Sequence, residues 1–269
     1  MARDLKERHE TIVVAVSPPR ASSTAFARGL WANPGIAHYA HEPNEATYFA
    51  KPNGISCADA LRSPMALEAL TGTKTGNGLL IKEITFQAGQ DFAELAALAT
   101  GPVIFLVRDP RLTVSSRRNV RRAQGESLDF PLDQTGWTAL AEQVRYCATH
   151  DVDYRIVDAH DLRSAPSTVL AAVCDRLGLD FEDAQLSWSP RPQLTLSNHR
   201  SGPDHFFTRV LASRGIEPPT EAVPPLTDFP AGELRDHVAW ALDVHQELLS
   251  DPRRIGGSAG KDRCRADCQ

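Results

Sequence analysis

Apolar residues gather along the chain in four short runs, at 12–16, 79–84, 102–107 and 153–157. The first is isoleucine and valine with no polar alternation, the pattern of a strand covered on both faces in a parallel sheet. A weaker apolar patch closes the stretch 31–40 and predicts one more short strand. Helix-patterned segments lie between the runs: 25–30, 92–99 behind Asp91 as an N-cap, and 110–120 with Pro110 at its start. Others follow at 134–149, with Trp137, Leu140, Val144 and Tyr146 as packing residues, at 166–178 between Pro166 and Gly178, and at 233–249. Strands alternating with helices predict an α/β fold: a doubly wound parallel sheet with helices on both faces. There is no internal repeat and no second domain. One domain is expected over 1–250, and the charged, glycine-containing stretch 251–269 is expected to be a disordered tail. Residues 44–78 are punctuated by Pro52, Gly54 and Pro64 and predict only a short helix at 65–70. Lying between core strands, they are expected to shape a binding pocket. Gly72 to Gly78 follow no apolar run and are read as a flexible turn. The proline-rich stretch 186–192 is expected to cross a ligand cleft.

Composition narrows the class. A chain of 269 residues can bury a sizeable core. Its net charge of −5 argues against nucleic acid as a general partner. No apolar stretch reaches the roughly 18 residues of a transmembrane helix, and the opening MARDLKERHE lacks the apolar core of a secretory signal. A cytoplasmic protein is expected, with no membrane partner. Five cysteines, an odd number, do not make a disulfide framework. Cys264 and Cys268 lack partner ligands at metal-site spacing, and no metal is expected.

Candidate chemistry lies at the ends of the apolar runs. The first is followed by Ser17-Pro18-Pro19-Arg20-Ala21-Ser22-Ser23-Thr24 and then a helix. Strand, tight loop and helix start bring free N–H groups and a positive dipole end to one spot, an anion site to which Arg20 adds a forked cation. The same residues also fit a plain connection with an incidental arginine. The loop is not a standard P-loop, which needs GxxxxGK and a hydroxyl residue. His41-Glu42-Pro43-Asn44 places an imidazole and a carboxylate near a second strand end, where ligands of open α/β sheets sit. Lys82 and Glu83 close the second run and need a partner or water. After the third run, Arg108 can grip a phosphate in bidentate fashion, and Ser116, two turns into the next helix, can face the same oxygens. Arg117, Arg118, Arg121 and Arg122 are read mostly as a solvated helix face.

Pro19 to Thr24 resembles the 5′-phosphosulfate loop of sulfotransferases that use 3′-phosphoadenosine 5′-phosphosulfate (PAPS), commonly PKSGTT or PRSGST. The match is at Pro, Arg, Ser and Thr. It departs at Ser22, where glycine is usual, and a bacterial branch reading PRN-x-ST is closer. Arg108 and Ser116 resemble that family's 3′-phosphate motif, R-[DN]-P followed by five residues and Ser. The resemblance spans roughly residues 11 to 180, with weaker echoes to about 217.

The resemblance implies a P-loop NTPase-like fold of sulfotransferase type. It implies a reaction that moves a sulfuryl group from PAPS to a hydroxyl or amine of a small-molecule acceptor by in-line displacement, leaving 3′-phosphoadenosine 5′-phosphate. By the same resemblance Pro19, Arg20, Ala21, Ser22, Ser23 and Thr24, with Arg108 and Ser116, hold the cofactor. Lys82 points to the phosphosulfate. Glu42 is the first choice for general base, with His41 as runner-up and Glu83 weaker. Asp158 and Asp161 are read as caps and structural hydrogen bonders rather than catalysts, and Arg191, His199 and Arg200 as candidate nucleotide or acceptor contacts. A homo-oligomer is compatible with this reading. Two others stay open: a nucleotide-dependent kinase on the same fold, and a non-catalytic nucleotide-binding protein.

Overall fold

The computed structural model describes residues 2–50, 54–196 and 206–256. Among them run the strands β1 Ile12–Ser17, β2 Ile36–His41, β3 Met65–Ala66, β4 Gly78–Ile84, β5 Val103–Val107, β6 Tyr154–Asp158 and β7 Arg254–Ile255. They form one sheet in the order β3-β2-β4-β1-β5-β6-β7. Only β3, on β2, is antiparallel; every other pair is parallel.

The unbroken apolar runs have a direct structural reason. Ile12, Val14 and Val16 of β1 pack into one core cluster, and Val13 and Ala15 into a second one on the opposite face. β5 divides in the same way, with Val103, Phe105 and Val107 on one side and Ile104 and Leu106 on the other. Period-two side chains on a sheet covered twice must be apolar at every position. The principal helices are α1 Ala2–Arg8, α2 Ser23–Trp31, α3 Phe92–Leu98, α4 Pro110–Ala123, α5 Trp137–Thr149, α6 Pro166–Leu177 and α7 Glu233–Ser250. α1, α3, α5 and α7 feed the first cluster, and α2 and α6 the second. The sheet is doubly wound, as expected.

The connections after β1 and β5 leave toward opposite sides of the sheet, which opens a crevice at the carboxyl ends of these central strands. α4 begins there with Pro110 at its first position and Asp109 accepting the Arg111 N–H at 2.9 Å. Asp158 likewise caps the helix Ala159–Ser164, accepting the His160 N–H at 3.1 Å. Asp161 pairs with Arg254 at 2.6 Å.

Several expectations need correction. Asp91 stands at the N-cap of α3 but makes no side-chain cap. Residues 65–70, read as a helix, carry β3 and then the short helix Glu68–Thr71, because Met65 and Ala66 find a free sheet edge on β2. Residues 251–256, read as part of a disordered tail, carry β7, which Arg254 ties to Asp161. Residues 257–269, with Cys264 and Cys268, lie outside the described residues, as do His199 and Arg200. No helix among the described residues is long and apolar enough to cross a membrane.

Candidate functional site

A cleft of about 750 Å³ opens at the crevice. Its first wall is the loop after β1. Ser17 ends the strand and α2 starts at Ser23. Arg20 and Ser22 both have positive φ, 69° and 63°, while Ala21 between them does not. This alternation of hand makes the kind of concave run of backbone N–H groups that cradles anions. It also shows that the left-handed turn is kept without glycine, at a cost of about 1–2 kcal/mol per residue. Ser22 occupies the N-cap position of α2, but its left-handed backbone takes the side chain away from the helix, and no side chain caps α2. The start of α2 therefore keeps its free N–H groups and positive dipole end, and Ser22, Ser23, Thr24 and Ala25 line the cleft.

The facing wall is β5 and α4. Arg108 donates to the carbonyl oxygen of Arg20 at 3.1 Å, and the Arg20 side chain donates to Ser116 Oγ at 3.1 Å and to the carbonyl of Phe206 at 2.8 Å. The two sequence motifs, far apart in the chain, are thus cross-linked. Burial and the neighbouring Arg108 charge both lower the Arg20 pKa. An anion in the cleft would relieve both.

Sheet register supplies the floor. His41 on β2 lies opposite Lys82 on β4, and Lys82 opposite Ala15 on β1. The Glu42 N–H donates to the Lys82 carbonyl at 2.7 Å, and the Lys82 ammonium donates to Glu42 Oε1. Lys82 is 1% exposed and Glu42 5%. Burial works against the Glu42 charge, but Lys82, His41 and a hydrogen bond with Gln87 hold its carboxyl below the ordinary range. Lys82 and Glu83, which both needed a partner, find different ones. Neighbours on a strand point to opposite faces, and Glu83 is buried on the other side. There it accepts the N–H groups of Asn44 and Ile84 at 2.8 and 2.7 Å. Burial and the Glu42 charge push its carboxyl up to about 8.

His41 lies behind Glu42 rather than on the cleft wall. Its Nδ1 is 2.5 Å from the Tyr39 hydroxyl and its Nε2 is 3.5 Å from Glu42 Oε1. Burial and the Lys82 charge drive its pKa down to about 3. With Nδ1 engaged by Tyr39, Nε2 is the ring nitrogen that faces Glu42. Ala21 is fully buried and does not line the cleft either. Arg191 donates to the Leu70 carbonyl at 3.3 Å and lines a separate cavity of about 250 Å³ with Arg28 and Trp188. The proline-rich stretch therefore runs beside α2 rather than across the cleft.

Residues that sequence reading passed over complete the walls. Arg117, read as part of a solvated face, is 8% exposed; its guanidinium stacks at 4.8 Å over Phe130 and donates to Gln134 at 2.6 Å. Phe206, Phe207, Arg163, Arg209 and Glu221 also reach the cleft. Arg163 lies in the short helix that directly follows β6, and the other four follow no strand end and belong to no short motif. Among the described residues no three His, Cys, Asp or Glu side chains gather as a metal site.

The cationic donors lining the cleft suit an anionic ligand. Arg20, Lys82 and Arg108 line the cleft with the start of α2, and a carboxylate, that of Glu221, stands 3.5 Å from Arg108. Comparison with solved structures finds the same fold in the sulfotransferase domain of the Synechococcus PCC 7002 olefin synthase. That match has 15% identity and a TM-score of 0.52, covering 87% of this chain and 94% of that one. The sulfotransferase domain from the curacin biosynthetic pathway aligns with 16% identity and a TM-score of 0.51, covering 87% of this chain and 97% of that one. No curated protein matches. The family model for the sulfotransferase domain matches residues 11–245, nearly the whole described chain, and this protein therefore belongs to the sulfotransferase domain family.

Proposed function

We propose that the chain transfers a sulfuryl group from PAPS to a hydroxyl or amine of a small acceptor. The observation that carries this reading is the cross-linking of the 20–24 loop to Arg108 and Ser116 above the buried Lys82–Glu42 pair. When bound, the donor supplies an activated sulfuryl group on a phosphate leaving group. The N–H groups at the start of α2, with Arg20, hold the 5′ end, and Arg108 with Ser116 holds the 3′-phosphate, which fixes the line of attack. Alignment and preorganised charge do most of the catalysis in transfers of this type. Lys82 turns from Glu42 toward the anionic sulfuryl oxygens. Glu42, relieved of its ion pair but still buried, becomes more basic and takes the proton of the acceptor. Phe49, Phe86 and Gln87 offer the acceptor a largely apolar seat beside Glu42.

The test is titration calorimetry with 3′-phosphoadenosine 5′-phosphate, with AMP and ATP as controls. The bisphosphate is expected to bind at least tenfold more tightly than AMP, a 3′-phosphate contact of more than about 1.4 kcal/mol. Equal affinities would remove PAPS as the donor. A second reading, donor binding without turnover, draws on the ion pair that occupies Glu42. Tight bisphosphate binding with no sulfation across an acceptor panel would favour it. A kinase reading would require Mg²⁺-dependent turnover of ATP.

A further inference from the structure

Glu221 lies on an irregular segment that runs from residue 216 to 225 between the helix Thr208–Ala212 and α7. Its carboxylate takes two hydrogen bonds from Arg163, at 2.8 and 3.2 Å, and stands 3.5 Å from Arg108. Arg209 approaches at 4.0 Å but is already matched by Glu217 at 2.6 Å. We infer that Arg163 belongs to the same anion site as Arg108, and that Glu221 is the site's internal counter-ion, displaced when the 3′-phosphate of the donor arrives. The inference rests on the donor proposed above.

Three observations favour a replaceable carboxylate over a structural ion pair. First, the two halves of the cluster are unequally held. The side chains of Arg163 and Arg108 are 8% and 11% exposed, whereas that of Glu221 is 34% exposed and lines the cleft. Second, Arg163 does not need Glu221 to stay in place. Its Nε and one terminal nitrogen donate to the carbonyls of Glu217 and Pro218 at 2.9 and 2.8 Å. Third, the charges do not balance. One carboxylate faces two guanidinium groups, while a phosphate monoester carries about −1.5 to −2 near pH 7 and has three acceptor oxygens. Glu221 ionises readily: burial opposes its charge, but the Arg163 hydrogen bonds and the Arg108 charge bring its carboxyl down to about 2. A phosphate at Arg108 must therefore meet a full negative charge and push it aside. The returning carboxylate then helps to expel the spent bisphosphate.

The experiment is calorimetry of 3′-phosphoadenosine 5′-phosphate and AMP on the wild-type chain and on Glu221→Gln, a partly exposed position where the amide keeps the shape. The expected result is bisphosphate binding at least tenfold tighter in Glu221→Gln, with AMP affinity within twofold and slower bisphosphate release in stopped flow. Arg163→Gln made on the Glu221→Gln background, where no carboxylate is left unpaired, is expected to lose at least that tenfold gain and leave AMP unmoved. A wild-type preference for the bisphosphate with no gain in Glu221→Gln, or no loss on adding Arg163→Gln, would overturn this inference alone. No preference in any form would overturn it together with the donor assignment.

Discussion

Glu42 and Lys82 hold each other twice, through the Glu42 N–H to the Lys82 carbonyl and through the Lys82 ammonium to the Glu42 carboxylate. The first bond belongs to the strand register and the second to the cleft floor. Side-chain chemistry and sheet assembly are thus joined at one point. Glu42→Gln is expected to lower turnover by about two to four orders of magnitude, the usual weight of a general base, with bisphosphate affinity little changed. Lys82→Met takes the ammonium away from a buried carboxylate and is expected to destabilise the fold by about 3–5 kcal/mol. The double variant should recover stability without recovering turnover. Urea melts and kcat on the three variants check this; a fully active Glu42→Gln would remove Glu42 as base.

Arg20→Ala takes away a cation at the start of α2 and the bridge to Ser116. Loss of one preorganised donor of this kind costs about 2.7–4 kcal/mol in the transition state, so turnover is expected to fall by about two to three orders of magnitude. The measurement is kcat at saturating donor, and wild-type kcat in Arg20→Ala would rule out the proposed chemistry.

Glu83 gives the fold a pH signature. Its folded pKa, about 8, lies above that of the unfolded chain. The folded state therefore holds a proton that the unfolded state gives up. The contribution of Glu83 is fully present below the unfolded value near 4.5 and is lost as pH rises through about 8. Stability should decline over that window in the wild type. In Glu83→Gln the decline should flatten, by more than about 1 kcal/mol across the window. Denaturant midpoints at several pH values test this, and parallel curves for the two proteins would count against a raised Glu83.

Ser22 and Gly136 test the loop geometry from opposite sides. Ser22→Gly releases left-handed strain at φ 63° and is expected to be neutral or stabilising, by up to about 1 kcal/mol, with bisphosphate binding kept. At Gly136, φ is +81°, and an added Cβ would stand 2.6 Å from Thr85 Oγ1 and 2.9 Å from Pro19 Cδ. Gly136→Ala is expected to destabilise by about 1–3 kcal/mol and to weaken bisphosphate binding by moving Pro19. Intact binding in Gly136→Ala would show that the loop does not lean on this contact.

Much of the site was legible because strand ends announce themselves. Apolar runs break abruptly, and the charged residues at or just beyond the break, Lys82 within β4 and Arg20, Glu42 and Arg108 past their strands, fall toward the carboxyl edge of a sheet whose order need not be known. The features that a linear sequence could not disclose depend on register and on distant meetings. Lys82 has Glu83 as its chain neighbour, yet β2 beside β4 makes Glu42 its partner. Ser22 looked like a departure from a glycine loop, while the backbone keeps the left-handed turn with serine. Arg163 and Glu221 meet across 58 positions, with no periodicity or motif to foretell it. Arg117 shares its helix with less buried arginines, and its burial comes from packing against Phe86 and Phe130 and from its bond to Gln134, none of which is near it in sequence.

The cleft draws on positions 20, 42, 82, 108, 163 and 221, nearly the full span of the chain. Its assembly is therefore expected to come late in folding, since contacts so distant in sequence carry the largest loop-closure cost. A nascent or truncated chain ending before residue 221 would display strands and helices yet lack a wall of the site. Ligand-dependent protection would then report completion of the fold rather than its onset, and ligand present during refolding would draw the population toward the finished sheet by mass action.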